Sequence, residues 1–221
     1  MLRPRLQSAL KATKTVVFPQ AAPLQKKATD FYRVGFSPST LAVLVRSQDT
    51  LSIKKQPVMA QIKDLRDLLD HEVQAMYSAE KLITGGLPRM IANAHSPELK
   101  QAFQTHLDET ERQIQRLEQV ADLLEIDVDG DKNLGMAGII AEGEQVMHKD
   151  ATPEALDAAL ICSAQKVEHY EIAGYGTAVY LAQELGFDQA ATILDSILDE
   201  EKKTNEILNA LAKNLVNPLA E

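Results

Sequence analysis

Apolar side chains recur at helical spacing along four long stretches of the chain, and this pattern constrains the fold more than any other feature. In the first stretch, Leu69, Val73 and Met76 follow one another at steps of three and four residues, which places them on one face of an α-helix. The pattern predicts an all-α bundle with long helices at about 61–93, 96–124, 152–185 and 188–214, and a short extra helix at about 136–148 between the second and third.

Signals for helix starts and breaks accompany this spacing. Ser96 and Thr152 are each followed by a proline and a glutamate, which suits the N-cap and the first turn of a helix. Asp64 is placed to cap the first long helix. The segment 85–88 holds two glycines and Pro88, which weaken a helix and remove a backbone hydrogen bond. We therefore expect the first helix to bend or to be interrupted near residues 85–88.

The charge of the chain is divided unevenly. Of a net charge of −9, residues 1–58 carry +8 and the remaining residues carry −17. A region as acidic as residues 59–221 repels nucleic acid and attracts cations. No stretch approaches the ~20 apolar residues of a membrane-spanning helix. We therefore expect metal ions as partners, and neither nucleic acid nor membrane.

Cys162 is the only cysteine in the sequence. A single cysteine excludes an internal disulfide and a zinc site built from several cysteines. Because Cys162 lies within an apolar run, the sequence predicts that its side chain is buried as a small hydrophobic group.

Residues 1–58 differ from the rest of the chain, so we expect two parts: a basic, poorly ordered segment at 1–58 and a helical domain at 59–221. The segment is either an organellar transit peptide, a disordered basic arm, or upstream translation ahead of a natural start at Met59. The third interpretation is favoured, since helical periodicity begins directly after Met59. It implies a cytoplasmic protein, whereas a transit peptide implies an organellar one.

Carboxylates occupy the inward stripes of all four long helices. On the third, Glu168 shares a face with Ile161 and Ala164, and Glu171 lies one turn further on. The corresponding polar residues are Glu80 on the first helix, His106, Glu109 and Gln113 on the second, and Glu201 on the fourth.

Buried carboxylates need compensation, because each one buried without a partner costs several kcal/mol and neighbouring ones repel. Either the groups are protonated or surface-exposed, as glutamates in helices commonly are, or a cation stands among them. Oxygen-rich sites with an imidazole suit iron or manganese. Four independent helices that each present a glutamate near mid-length favour a pair of metal ions.

Four motifs, YSAEK (77–81), PELKQAFQTHLDET (97–110), QKVEHYEIAGYGT (165–177) and LDEEK (198–202), resemble the YciE/YciF family of the ferritin-like superfamily. The similarity extends from about Ile62 to Asn217. It implies an antiparallel ferritin-like four-helix bundle, a homodimer, and a site for two iron or manganese ions.

The resemblance also implies a ligand set. Such sites take a Glu from each of two helices and a Glu-x-x-His motif from each of the others. Glu80, Glu109 and Glu201 match the glutamates of the first, second and fourth helices. Glu168 with Glu171 matches the Glu-x-x-Glu of rubrerythrin-type third helices.

The chain departs from this pattern in its histidines. Arg112 and Thr204 stand where the two Glu-x-x-His motifs need histidine. His106, three residues before Glu109, is the candidate imidazole, while His169 lies off the face of Glu168 and is expected to contact something other than metal.

Three functions are consistent with the sequence. The first is a stress-response protein that binds two iron or manganese ions and reacts with oxygen or peroxide, with Glu171 as a labile ligand and Tyr77 in electron transfer. The second is a non-catalytic structural or stress protein that keeps the bundle without a working site. The third is an iron-storage subunit, which the implied dimer disfavours.

Overall fold

The computed structural model describes residues 61–220, and these residues form five α-helices and no β-strand. The helices are α1 (Leu65–Asn93), α2 (Pro97–Leu124), α3 (Leu134–Met147), α4 (Pro153–Glu184) and α5 (Asp188–Leu211). They are followed by a π-helical turn (Ala212–Val216) and a 3-10 turn (Asn217–Leu219). The predicted four long helices with a short one between the second and third are confirmed. The expectations for residues 1–58 lie outside the described residues.

Side-chain caps set three of the long helices' starts. The hydroxyl of Ser96 accepts the backbone N–H of Leu99, and that of Thr152 accepts the N–H of Ala155. The carboxylate of Asp64 likewise accepts the N–H of Asp67 at 2.9 Å, so α1 begins at Leu65 rather than at 61. These caps satisfy backbone donors that have no partner within the first turn.

Helix α1 runs without interruption through Pro88. We expected either a bend or an interruption near residues 85–88, and the prediction of an interruption is therefore wrong. The packing explains this result: Gly86 and Leu87 are buried on the inner face of α1, and this burial outweighs the hydrogen bond that Pro88 lacks.

The four long helices form a closed ring in which α1 packs on α2, α2 on α5, α5 on α4, and α4 on α1. At one end of the bundle, the Asp157 carboxylate in the first turns of α4 accepts the N–H groups of His95 and Ser96, both at 2.7 Å, in the α1–α2 connection. At the other end, the guanidinium of Arg66 near the start of α1 stacks 4.8 Å from the ring of Phe187 in the α4–α5 connection. Each helix therefore runs antiparallel to both of its ring neighbours.

Helix α3 carries the long crossover between the two ends, and it lies on α1 and α4. Asn133 fixes its start: its amide group donates to the Ala75 carbonyl, and its side-chain oxygen accepts from Met136 N–H and from the Tyr170 hydroxyl. The polar contacts of this buried side chain hold α3 against the two helices that it covers.

The core is aliphatic, as composition suggests, with Tyr175 and Phe103 as the largest fully buried aromatic side chains. The prediction for Cys162 is wrong, because its side chain is exposed. It falls on the outer stripe of α4 together with Lys166, His169 and Tyr180, although the residues next to it in sequence, Ile161 and Ser163, are buried. Within residues 61–220, no helix combines the length and apolar character that crossing a membrane requires.

Replacing Asp157 with alanine should leave the N–H groups of His95 and Ser96 without their buried acceptor. We expect the free energy of unfolding to fall by about 2–4 kcal/mol, since hydrogen bonds to a charged group each contribute ~1.5–3 kcal/mol. Urea unfolding followed by circular dichroism measures this loss. Asp195→Ala, an exposed position on α5, is the control and should change stability by less than ~0.5 kcal/mol; equal losses in both variants would contradict the anchoring role.

Candidate metal centre

Four side chains meet in the middle of the bundle: His106 from α2, Glu168 and Glu171 from α4, and Glu201 from α5. One nitrogen or oxygen atom from each lies within 4.8 Å of those of the other three. All four residues are 2% exposed or less. They face inward because each occupies a position three or four residues from buried apolar neighbours on its helix, such as Phe103 before His106 and Ile197 before Glu201.

The imidazole of His106 lies between two carboxylates. Its Nδ1 is 3.3 Å from an oxygen of Glu168, and its Nε2 is 3.8 Å from an oxygen of Glu201. Burial nevertheless lowers the pKa of His106 to about 4, so the ring is neutral at pH 7. A neutral imidazole is the form that binds metal, and it does not offset the charge of the carboxylates.

Glu80 on α1 adjoins this group and is completely buried. One of its oxygens accepts a hydrogen bond from the hydroxyl of Tyr175, which is also completely buried. Its carboxyl group also faces that of Glu171. The chain thus brings one carboxyl from α1, two from α4 and one from α5 to the same level of the bundle.

These carboxyl groups disturb one another's ionisation. Burial and the neighbouring carboxylates raise the pKa values of Glu80, Glu168 and Glu171 well above the ordinary range. Burial likewise raises the pKa of Glu201, to about 7. No lysine or arginine side chain is fully buried anywhere in residues 61–220. The partly buried Arg116, which pairs with Glu200, lowers the pKa of Glu80 but does not outweigh the effects of burial and of Glu201.

Many polar atoms of the site have no hydrogen-bond partner in the described structure, which is uncommon for buried groups. They are one oxygen each of Glu80 and Glu201, both oxygens of Glu168 and of Glu171, both ring nitrogens of His106, and the side-chain oxygens of Thr110 and Gln113. Unpartnered carboxylate oxygens around a neutral imidazole form the donor set that iron and manganese prefer. The residues present therefore fit the implied metal.

Glu109, the ligand expected from α2, lies at the edge of the site. It is half-buried, and burial together with Glu200 raises its pKa. Its charge in turn raises the pKa of Glu168 and of Glu201, so it is near the four-residue group without belonging to it. Its role as a ligand stays a prediction, as do those of the other five residues.

Tyr77 and His169 were both considered from the sequence, and neither belongs to the four-residue group. The Tyr77 hydroxyl donates to Glu118 at 3.1 Å, and Tyr175 is the tyrosine bonded to a carboxylate of the site. A signal was available, because Tyr175 lies four residues after Glu171 on the inward stripe of α4. His169 is exposed, which agrees with its expected place off the face of Glu168.

Gln113 and Thr110 are further buried polar residues that α2 contributes to the site. The Gln113 amide donates to Glu201 and, at 3.0 Å, to Glu200, whose carboxylate pairs with Arg116 near the surface. Gln113 therefore orients Glu201, a function that the sequence did not suggest. Thr110 is completely buried and was not identified from sequence at all.

The fold and the site define the class of protein: an antiparallel ferritin-like helical bundle with a buried cluster of carboxylates and one imidazole. Residues 64–221 match the model of a family described as domain of unknown function DUF892. Protein YciF of Escherichia coli is 42% identical over 161 residues, which cover 72% of this chain and 97% of YciF. The chain belongs to this family, as its motifs predicted.

Solved structures agree with this assignment. The crystal structure of the E. coli stress protein YciF matches with a TM-score of 0.68 over 71% of this chain and 99% of YciF, at 42% identity. YcfI from Rhodopseudomonas palustris, described as a proposed structural protein, matches at 40% identity and a TM-score of 0.66 over 70% and 97% of the two chains. A Xanthomonas campestris protein, at 23% identity and a TM-score of 0.57 over 71% and 96%, shares the fold.

The raised pKa values predict how the stability of the metal-free protein depends on pH. Above pH 6.5, the ordinary value for histidine, His106 is neutral in the folded chain and holds less than half a proton in the unfolded chain, so its opposing effect is smaller than that of the carboxyl groups. Glu201, with a pKa of about 7 against an ordinary 4.5, holds a proton in the folded state that the unfolded chain releases. The free energy of unfolding should therefore fall as the pH rises from 6.5 through 7 and beyond.

Urea unfolding of chelator-treated protein at a series of pH values measures this slope. Glu201→Gln should reduce it, whereas Glu206→Gln, at an exposed position of α5, should leave it unchanged. A free energy of unfolding that is constant or increases above pH 6.5 would show that the carboxyl groups are not buried as described.

Proposed function

We propose that this chain is a stress-response protein that binds two ions of iron or manganese and brings them into reaction with oxygen or peroxide. The observation that carries the proposal is the set of buried carboxylate oxygens and imidazole nitrogens that lack hydrogen-bond partners. Leaving such groups unpartnered costs several kcal/mol, whereas metal ions at the same place would be coordinated by them.

In this proposal the six predicted metal ligands differ in their distance from the centre of the site. His106, Glu168, Glu171 and Glu201 are close enough to share one ion, and Glu80, beside Glu171, extends the donor set towards α1. Glu109 would complete the set from α2 by a small movement inward. Bound iron or manganese would supply the electrons that the oxidant takes up.

The protein's other groups would control the surroundings of the ions. Tyr175 holds one oxygen of Glu80 by a hydrogen bond and leaves the other free. Gln113 holds one oxygen of Glu201 in the same way. Both contacts orient a carboxylate with its remaining oxygen available, which is how outer hydrogen bonds position metal ligands.

The second candidate is a structural or stress protein without a working site. Two observations favour it: the missing Glu-x-x-His motifs, and the raised pKa values, which let Glu80, Glu168 and Glu171 stay protonated and neutral in the absence of metal. The description of the R. palustris relative as a proposed structural protein is consistent with it.

Assembly and location are part of the proposal. We expect a homodimer, supported by the family resemblance and by exposed apolar side chains such as Tyr180 on α4 and Leu134 on α3. Sedimentation velocity distinguishes a dimer from a monomer or a storage cage. A cytoplasmic location goes with a native start at Met59, and N-terminal sequencing of the native protein decides between that start and a cleaved transit peptide.

Metal content separates the two candidates. Protein purified without chelator from iron- and manganese-replete cells should contain about two ions per chain. Glu168→Gln should lower this content strongly, because it replaces a central carboxylate, while Glu184→Gln, on the exposed face of the same helix, should not. Mass spectrometry of the metals measures both variants, and less than one ion per chain in the unaltered protein would favour the structural candidate.

Oxidant consumption separates an enzyme from a passive metal-binding protein. Metal-loaded protein supplied with an excess of an electron donor such as ascorbate should consume hydrogen peroxide or dioxygen catalytically, and Glu168→Gln should lose this activity in proportion to its metal. Tyr175→Phe keeps the ring and removes the hydrogen bond to Glu80, so we expect it to keep most of the metal and to react more slowly. An electrode assay with Glu184→Gln as control measures these rates; stoichiometric uptake that stops after one turnover would contradict catalysis.

A further inference from the structure

A small apolar pocket lies beneath α3, where this helix covers the bundle. Its lining comes from α1, α2, α3 and α4, and its volume is about 30 Å³. By the same measure one water molecule needs ~10–15 Å³. The pocket therefore accommodates a molecule of two or three non-hydrogen atoms, and an organic substrate would have to displace α3.

The pocket extends from the surface to the candidate metal centre. At its outer rim, Arg89 and Glu144 form a 2.6 Å ion pair between α1 and α3, with side chains that are 51% and 39% exposed. Its lining also includes His106, which is buried and belongs to the four-residue group. Val167, next to Glu168 in sequence, lines it as well. A small molecule that passes the rim can thus reach the imidazole.

The chemistry of the lining selects among small molecules. Between the rim and His106 the lining side chains are chiefly aliphatic, including Ile83, Leu87, Ile140, Ala164 and Val167. The hydroxyl of Ser163 is already used, since it donates to the carbonyl of Ala159 at 3.1 Å. Hydrogen peroxide would lose its hydrogen bonds to water here, at a cost in free energy. Dioxygen makes no such hydrogen bonds and enters without this cost.

We propose that the pocket beneath α3 binds dioxygen and leads it to the metal centre in preference to hydrogen peroxide. The proposal names the oxidant for the function proposed above and so rests on it. The pocket itself is formed by the chain alone, which lets its occupancy be measured without metal.

Two neighbouring glycines offer a matched pair of variants. A methyl group at Gly86, which lines the pocket, would lie 3.7 Å from Ile140, an ordinary contact. Gly86→Ala therefore fills part of the pocket without a clash. Gly85→Ala gains the same helix propensity, but its methyl group meets nothing within 4 Å. Any difference between the two reports on the pocket and not on the stability of α1.

Xenon is an apolar probe for such a cavity. Crystals of the metal-free protein under xenon pressure should show xenon density beside His106, retained in Gly85→Ala and lost in Gly86→Ala. Absence of xenon from the unaltered protein would overturn the proposal, and so would equal occupancy in both variants. These outcomes do not depend on metal binding, so the proposed function can fail separately through the metal content.

Reaction rates test the choice of oxidant. In iron-loaded protein, the bound iron(II) would supply two electrons, and the oxidant would take up these two electrons and two protons. Dioxygen then yields hydrogen peroxide, and hydrogen peroxide yields two waters. Stopped-flow measurement should show that Gly86→Ala slows the dioxygen reaction by about tenfold relative to Gly85→Ala and slows the peroxide reaction much less. Equal slowing of both reactions would overturn the preference for dioxygen.

Discussion

The structure depends on how the charge of the buried carboxyl groups at its centre is compensated. Glu80, Glu168, Glu171 and Glu201 are all buried around a neutral imidazole, and no lysine or arginine within residues 61–220 is buried with them. Ionised carboxylates in such a place repel one another and lose their hydration, which together cost many kcal/mol. Protonation removes the charge and lets neighbouring carboxyl groups hydrogen-bond to one another. Metal ions would instead offset the charge and coordinate the oxygen and nitrogen atoms that lack hydrogen-bond partners. In the proposed function, these groups are kept for metal binding, although apolar residues here would make the fold more stable.

The rest of the fold holds this centre in place. The ring of antiparallel helices lets each long helix direct a side chain to the same level, and the crossover through α3 closes one side of the bundle. Polar anchors act at both ends of that crossover: Asn133 ties the start of α3 to α1 and α4, and Asp157 ties the start of α4 to the α1–α2 connection. A site built on four rigid helices needs such contacts, since small displacements of one helix change every distance in the group.

Much of this arrangement could be predicted from sequence, because helical periodicity is a local property. The spacing around Glu168 and Glu201 was sufficient to place both inside, and the caps at Ser96 and Thr152 fixed two helix starts. Cys162 shows a limit of sequence-based prediction. Within an apolar run, a rotation by one residue about the helix axis decides whether a side chain lies in the core or in solvent, and apolar neighbours in the sequence do not reveal which. Glu109 shows a second limit. The sequence places it on the inward face of its helix, but its distance from the other carboxylates depends on how the helices pack. The bond from Tyr175 to Glu80 joins residues 95 apart in the chain, and no local pattern could supply it.

Anomalous X-ray diffraction from crystals of protein purified without chelator, recorded at the iron and manganese edges, would locate bound ions of either metal. We expect anomalous peaks among His106, Glu168, Glu171 and Glu201, with a second position towards Glu80, and carboxylate oxygens at bonding distance from them. Well-ordered carboxyl groups that hydrogen-bond only to one another and to water, with no anomalous peak between them, would contradict this expectation.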